Sequence, residues 1–159
     1  FYNIIIYYMK IIELKNNSFD KKVITDLLEK NTCFIGVFSE SCIHCNNMKP
    51  EWQILKKKLK KIKTRAVLLE IDYNQLDNID YFSLKNSILG LPSIMIFKRG
   101  KKIKEYNGNR TSNDMLKFFK PYLELINNKQ THKQPHKQIH KQPDKQIHKK
   151  TQRKRIKRT

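Results

Sequence analysis

Between residues 10 and 126 the apolar positions follow two rhythms. Short apolar runs bounded by polar residues predict strands, and the near-continuous ones predict strands buried on both faces. These are Lys10–Leu14, Cys33–Phe38, Ala66–Ile71 and Pro92–Phe97, and a further strand over Lys101–Tyr106 is expected across the hairpin turn Arg99-Gly100. Three- and four-residue spacing predicts helices between them. The first runs from about Asp20 to Glu29, with Val23, Ile24, Leu27 and Leu28 on its apolar side and Asn17 or Ser18 as its cap. The second runs from Asn46 to Ile62, with Met48, Trp52, Leu55 and Leu59 turned inward and a kink expected at Pro50. After a helical or irregular stretch over Leu76–Lys85, a last helix over Ser112–Ile126 starts at Thr111 or Ser112 and presents Met115, Phe118, Phe119, Tyr122, Leu123 and Ile126. The order is β-α-β-α-β-α-β-β-α, an α/β domain.

Beyond Asn127 the rhythm gives way to a four-residue repeat, His132-Lys133-Gln134-Pro135 and its successors, closed by Arg153-Lys154-Arg155-Ile156-Lys157-Arg158. Such a segment has too little to bury to offset chain entropy, so residues 127–159 are expected to be a disordered basic tail. The tail also explains why apolar residues make up only 38% of a 159-residue chain, a length that supports one core. Of the net charge of +20, the tail carries more than half, with 12 of the 34 Lys/Arg and 1 of the 14 Asp/Glu. That density suits nucleic acid or another polyanion, although the tail offers no aromatic residue for stacking on bases.

Residues 1–8 are left unassigned, since the first residue is Phe and Met9 is a candidate initiator directly before the first strand. The expected domain therefore spans 9–126. Ile4-Ile5-Ile6-Tyr7-Tyr8 is short and interrupted by Lys10. If it is a signal remnant the endoplasmic reticulum lumen follows, and otherwise a cytoplasmic or virion location. No stretch is long enough for a membrane span, and a monomer is expected.

Three cysteines, two of them in Cys42-Ile43-His44-Cys45, are too few and too local for a secreted disulfide framework. A redox or metal motif is the better reading. The attacking species in disulfide exchange is a thiolate, so the reaction needs a cysteine whose pKa lies below the reference of ~8.5. At a helix start the unpaired N–H groups and the positive end of the dipole favour the anion. Cys42 is thus the candidate nucleophile and Cys45, one turn later, the resolver. A protonated His44 favours the thiolate further and makes the disulfide the better oxidant. A structural zinc needs two more ligands, whereas Cys33 sits inside a strand and the other four His lie in the tail. Inert burial is the third reading.

The run Cys42-Ile43-His44-Cys45-Asn46-Asn47-Met48-Lys49-Pro50-Glu51-Trp52 resembles the active-site helix of the protein disulfide isomerase branch of the thioredoxin family. Gly90-Leu91-Pro92-Ser93, with the apolar strand and Lys98-Arg99-Gly100 after it, resembles the family's cis-proline loop and hairpin. Tyr106-x-Gly108-x-Arg110-Thr111 matches the segment before the last helix. The resemblance covers residues 10–126. It implies a thioredoxin fold, a central mixed sheet flanked by helices, working without a cofactor on protein thiols and disulfides. It further implies a cis peptide before Pro92, which faces the cysteines, and a Leu91 backbone that pairs with a client chain as an added strand. Arg110 matches an arginine that swings toward the resolving cysteine and stabilises its thiolate, and its alternative is a solvated surface role.

Three departures matter. Gly36 stands where the family carries a buried acid, six residues before the first cysteine, so the usual proton acceptor for Cys45 is missing. Ser41 replaces a Trp, and Ile43 replaces a Gly, adding apolar bulk beside the nucleophile where a client binds. Glu40 is a candidate substitute acceptor. Cys33, Trp52 and the Phe118-Phe119 pair read as core. The leading function is oxidation, reduction or isomerisation of protein disulfides. The alternatives are a client-binding module with weak catalysis, tested by insulin reduction or refolding of scrambled ribonuclease, and a polyanion binder acting through its tail.

Overall fold

The computed structural model describes residues 8–16 and 19–125. The chain runs through β1 (Lys10–Leu14), α1 (Lys21–Lys30), β2 (Thr32–Phe38), α2 (Ile43–Leu59), β3 (Val67–Asp72), α3 (Leu76–Ile79), α4 (Phe82–Lys85), β4 (Ser93–Lys98), β5 (Lys101–Glu105) and α5 (Ser112–Phe119). The strands form one sheet in the order β1-β3-β2-β4-β5. β3 is parallel to both β1 and β2, while β4 is antiparallel to β2 and β5. Parallel strands cannot be joined by a tight turn, so α1 and α2 carry the two crossovers, and the antiparallel pairing of β4 makes the sheet mixed. The fold is the expected thioredoxin fold, with β2 at its centre.

Alternation along β2 divides the core between the two faces. Cys33, Ile35 and Val37 pack with Ile24 and Leu28 of α1 on one side. Phe34 packs on the other with Trp52, Leu55 and Leu59 of α2 and Met115 and Phe119 of α5. The rings of Phe34 and Phe119 stack with centroids 4.4 Å apart. The central runs of β2 and β4 are near-continuously apolar because both of their faces are covered, whereas the edge strand β5 is charged and exposed.

Several boundaries differ from those read in the sequence, each for a local reason. Asp20 caps α1, accepting the N–H of Lys22 at 2.8 Å, while Asn17 and Ser18 lie outside the described residues. Of the apolar residues assigned to that helix, Ile24 and Leu28 are buried and Val23 is largely exposed. α2 begins three residues before Asn46, since Cys42 itself is the cap, and it continues through Pro50 to Leu59. The last helix stops at Phe119 and tightens into a 3₁₀ turn over Lys120–Tyr122. Pro121 has no N–H to extend the α-helical ladder. Arg99 and Gly100 take φ of +50° and +78°, the left-handed pair of a two-residue hairpin turn, and Gly100 donates its N–H to the Leu28 carbonyl at 2.8 Å. Residues 1–7 and 126–159, including the expected basic tail, lie outside the described residues. Among the described residues no helix is long and apolar enough to cross a membrane.

Candidate active site

The central strand ends at Phe38, and Ser39-Glu40-Ser41 turns the chain into α2. The turn is held by the Cys42 N–H donating to the Ser39 carbonyl at 3.2 Å, and by the Asn46 side chain donating to the Glu40 carbonyl at 3.0 Å. Cys42 then caps the helix in an extended conformation, its Sγ accepting the N–H of Cys45 at 3.2 Å. Cys42 and Cys45 form a disulfide with Cα atoms 5.2 Å apart. The two sulfurs are unequal: Cys42 is half-buried at the helix tip, whereas Cys45 is buried. In the reduced pair the first sulfur is the one that meets both solvent and the free amides of the helix start. Ile43, 70% exposed, and the exposed His44 stand between them on the surface.

β4 brings the second element to this end of the sheet. Its register places Ser93 opposite Val37 on β2, so Pro92 lies at the edge from which the cysteine loop departs. The Leu91–Pro92 peptide is cis, as the resemblance implied. Pro92 lines a hollow of about 230 Å³ together with Met48, one turn beyond Cys45, and with Ile94, Tyr106 and Arg110. Tyr106 closes its outer wall, with its hydroxyl donating to the Asn109 carbonyl and its ring against Phe118. Arg110 is exposed here, beside Pro92 and not on the cavity that Cys45 lines.

That other cavity, about 70 Å³, is bordered by Cys45, Phe38, Trp52, Glu40, Lys15 and Glu70. Glu70 is the residue that reasoning from Gly36 missed. The parallel register sets Glu70 of β3 directly beside Gly36 and beside Glu13 of β1. An acid is therefore present on the α2 face, one strand away from the expected place. It is 8% exposed, accepts the Trp52 indole N–H at 2.9 Å and pairs with Lys56 at 2.5 Å, and Lys15 approaches its other oxygen at 3.3 Å. Lys56, itself buried, also meets Glu13 at 2.6 Å, and this bond holds the Glu13 carboxyl below the usual range against the opposing effect of burial. At Lys15 burial opposes the charge, but the bonds to Glu13 and Glu70 outweigh it and raise the pKa. Two neighbouring carboxylates on adjacent strands are thus held by two ammonium groups, the condition under which buried charge is tolerated. A signal was available: Val67-Leu68-Leu69-Glu70-Ile71 carries one acid inside a doubly buried strand, and Lys56 falls one turn after Trp52 on the inward side of α2.

Gly36 leaves room for this arrangement. A Cβ there would stand 2.6 Å from two carbons of the Trp52 ring. Cys33 is fully buried, donates to the Leu27 carbonyl at 3.3 Å, and has its thiol pushed up to about 12 by burial, which marks it as core. Among the described residues no group of three or more His, Cys, Asp or Glu is placed to hold a metal ion.

Human protein disulfide-isomerase A6 is 29% identical over 109 residues, which are 67% of this chain and 23% of that protein. The Drosophila melanogaster homologue of protein disulfide-isomerase A6 is 32% identical over 111 residues, again 67% of the chain and 23% of the relative. The chain thus spans about a quarter of the length of these relatives. Among solved structures, the first thioredoxin domain of mouse protein disulfide-isomerase A4 superimposes with a TM-score of 0.54 at 18% identity, covering 80% of this chain and 86% of that one. The J-Trx1 fragment of ERdj5 gives 0.55 at 18% identity, with 70% and 51% covered, and at these identities the likeness is one of fold. The thioredoxin family model matches residues 10–121, well over half of the 159, and the chain belongs to the thioredoxin family.

Proposed function

We propose that the domain is a thiol–disulfide oxidoreductase acting on disulfides of client proteins. The observation that carries this reading is the inequality of the two sulfurs, an accessible Cys42 capping α2 and bonded to a buried Cys45. In the reductive direction the Cys42 thiolate attacks a client disulfide, forming a Cys42–client bond and expelling one client sulfur as a thiolate. Cys45 loses its proton and attacks the Cys42 sulfur, closing the Cys42–Cys45 disulfide and releasing the second client thiolate. The client gains two electrons and the domain gives up two. Oxidation is the same sequence reversed, and isomerisation is attack followed by release to a different client sulfur before Cys45 acts.

The remaining residues take supporting parts in this proposal. A protonated His44 favours the Cys42 thiolate, and Ile43 offers a client an apolar contact beside the nucleophile. Leu91 and Pro92 hold the client backbone across the cysteines. Arg110 starts from the hollow beside Pro92 and must rotate toward Cys45 to stabilise its thiolate. The resemblance to disulfide isomerases favours oxidation or isomerisation as the finer activity, and refolding of scrambled ribonuclease tests that part separately.

The order of attack is tested by trapping. Cys45→Ser incubated with disulfide-containing proteins accumulates mixed disulfides visible on non-reducing gels, and Cys42→Ser accumulates none. Equal trapping by the two variants, or trapping by Cys42→Ser alone, overturns the assignment.

A further inference from the structure

We infer that Glu70 on β3 is the acid–base group that accepts the Cys45 proton, through water in the cavity the two residues share, and that the Trp52–Lys56 pair positions it there. The inference rests on the proposed roles of Cys42 and Cys45.

Cys45 is buried, so bulk base cannot reach its sulfur freely, yet it must lose a proton to resolve the mixed disulfide. Glu70 and Cys45 line the same cavity of about 70 Å³, room enough for water to bridge two polar groups. No carboxylate fits at Gly36, because the indole of Trp52 occupies the space a side chain would need. That same indole reaches across to Glu70 and bonds its Oε2 at 2.9 Å. Lys56 anchors the same oxygen, leaving Oε1 to Lys15 at the more open side. The carboxylate is therefore held from two sides in one orientation, which is what a proton acceptor acting through a single water layer requires. Glu40, the acceptor considered from the sequence, borders the same cavity but is solvent-exposed, and its backbone is the part engaged, by Asn46.

The step balances as follows. The proton passes from Cys45 Sγ by way of water to the Glu70 carboxylate while Cys45 attacks Cys42, breaking the Cys42–client bond. The departing client thiolate takes up a proton from solvent, and Glu70 returns its own to the cavity water. The charged groups that surround Glu70, and so shape the pH response, are Lys56 and Lys49 on α2, Glu13 and Lys15 at the β1 edge, and Glu40 and Asp72 at the cavity rim.

The test separates attack from release. The reduced protein is mixed with glutathione disulfide, and formation of the Cys42–glutathione adduct and its loss by Cys45 are timed by acid quench and mass across about pH 6 to 10. Glu70→Gln is expected to leave adduct formation unchanged and to slow adduct loss about 100-fold near neutral pH. The deficit closes toward pH 10, where hydroxide can take the proton instead. Glu70→Gln/Lys56→Met removes both buried charges, keeps the fold if the single variant loses it, and is expected to show the same slow release. Glu70→Asp, which retains a carboxylate, recovers most of the release rate. Wild-type release with a wild-type pH profile in the folded Gln variants overturns the inference. So does a deficit shared equally by attack and release at every pH. Failure of the wild-type protein to form or clear the adduct would instead overturn the roles of Cys42 and Cys45.

Discussion

At Gly36 the absence of a side chain is a packing requirement. The Cβ of alanine would meet the Trp52 ring at 2.6 Å and Phe38 at 2.7 Å, closer than a Cβ can stand without one of the rings shifting. Gly36→Ala is therefore expected to lose about 1–3 kcal/mol of stability, as overpacked core positions do, read as a lower urea midpoint with an unchanged slope. A neutral substitution would show that Trp52 is free to shift and that its bond to Glu70 is soft. Cys33 gives a second expectation, one that depends on pH. Burial raises its thiol from an ordinary 9.0 to about 12, so the folded chain keeps a proton that the unfolded chain releases. The stability this contributes is complete below pH 9 and drains away between 9 and 12. Over that interval the urea midpoint of the native protein should fall more steeply than that of Cys33→Ala, and parallel slopes would mean that the thiol is solvated. The cysteine pair was legible in the sequence because its chemistry is local, four residues at a helix start. Glu70 was not, because its meaning depends on a register between β2 and β3 and on a lysine from α2.

At the scale of elements, α2 and α5 cover one face of the sheet and hold the redox loop steady from below. Phe119 of α5 stacks on Phe34 of β2 and is fully buried. Phe119→Ala is expected to cost about 3–5 kcal/mol, measured by chemical denaturation, and a cost below about 1 kcal/mol would mean that α5 is not part of the cooperative core. The two helices are also tied where α5 begins, since Glu51, midway along α2, accepts the Ser112 backbone N–H at 2.6 Å. That bond keeps the Glu51 carboxyl below its usual range. The existence and order of the long elements could be read from spacing because each has a continuous apolar face. Their ends could not, since caps and terminators are single side chains: Asp20 in place of Asn17 or Ser18, Cys42 as its own cap, and Pro121 ending the last helix early.

At the scale of the whole molecule the parts converge on one end of the sheet. The central strand delivers the cysteines, its antiparallel neighbour delivers Pro92, and its parallel neighbour delivers Glu70. Mixed sheet direction thus places the cysteine pair, the Pro92 loop and a buried acid around the start of one helix. The basic segment from residue 127 onward remains a reading of charge alone. The central claim is that Cys42 exchanges disulfides with a protein. It is tested most directly by insulin reduction driven by dithiothreitol and followed as turbidity of the freed B chain. Catalytic amounts of the protein should shorten the lag well below that of dithiothreitol alone, and Cys42→Ser should remove the acceleration completely. A wild-type protein that gives no acceleration, or a Cys42→Ser variant that retains it, would contradict the account.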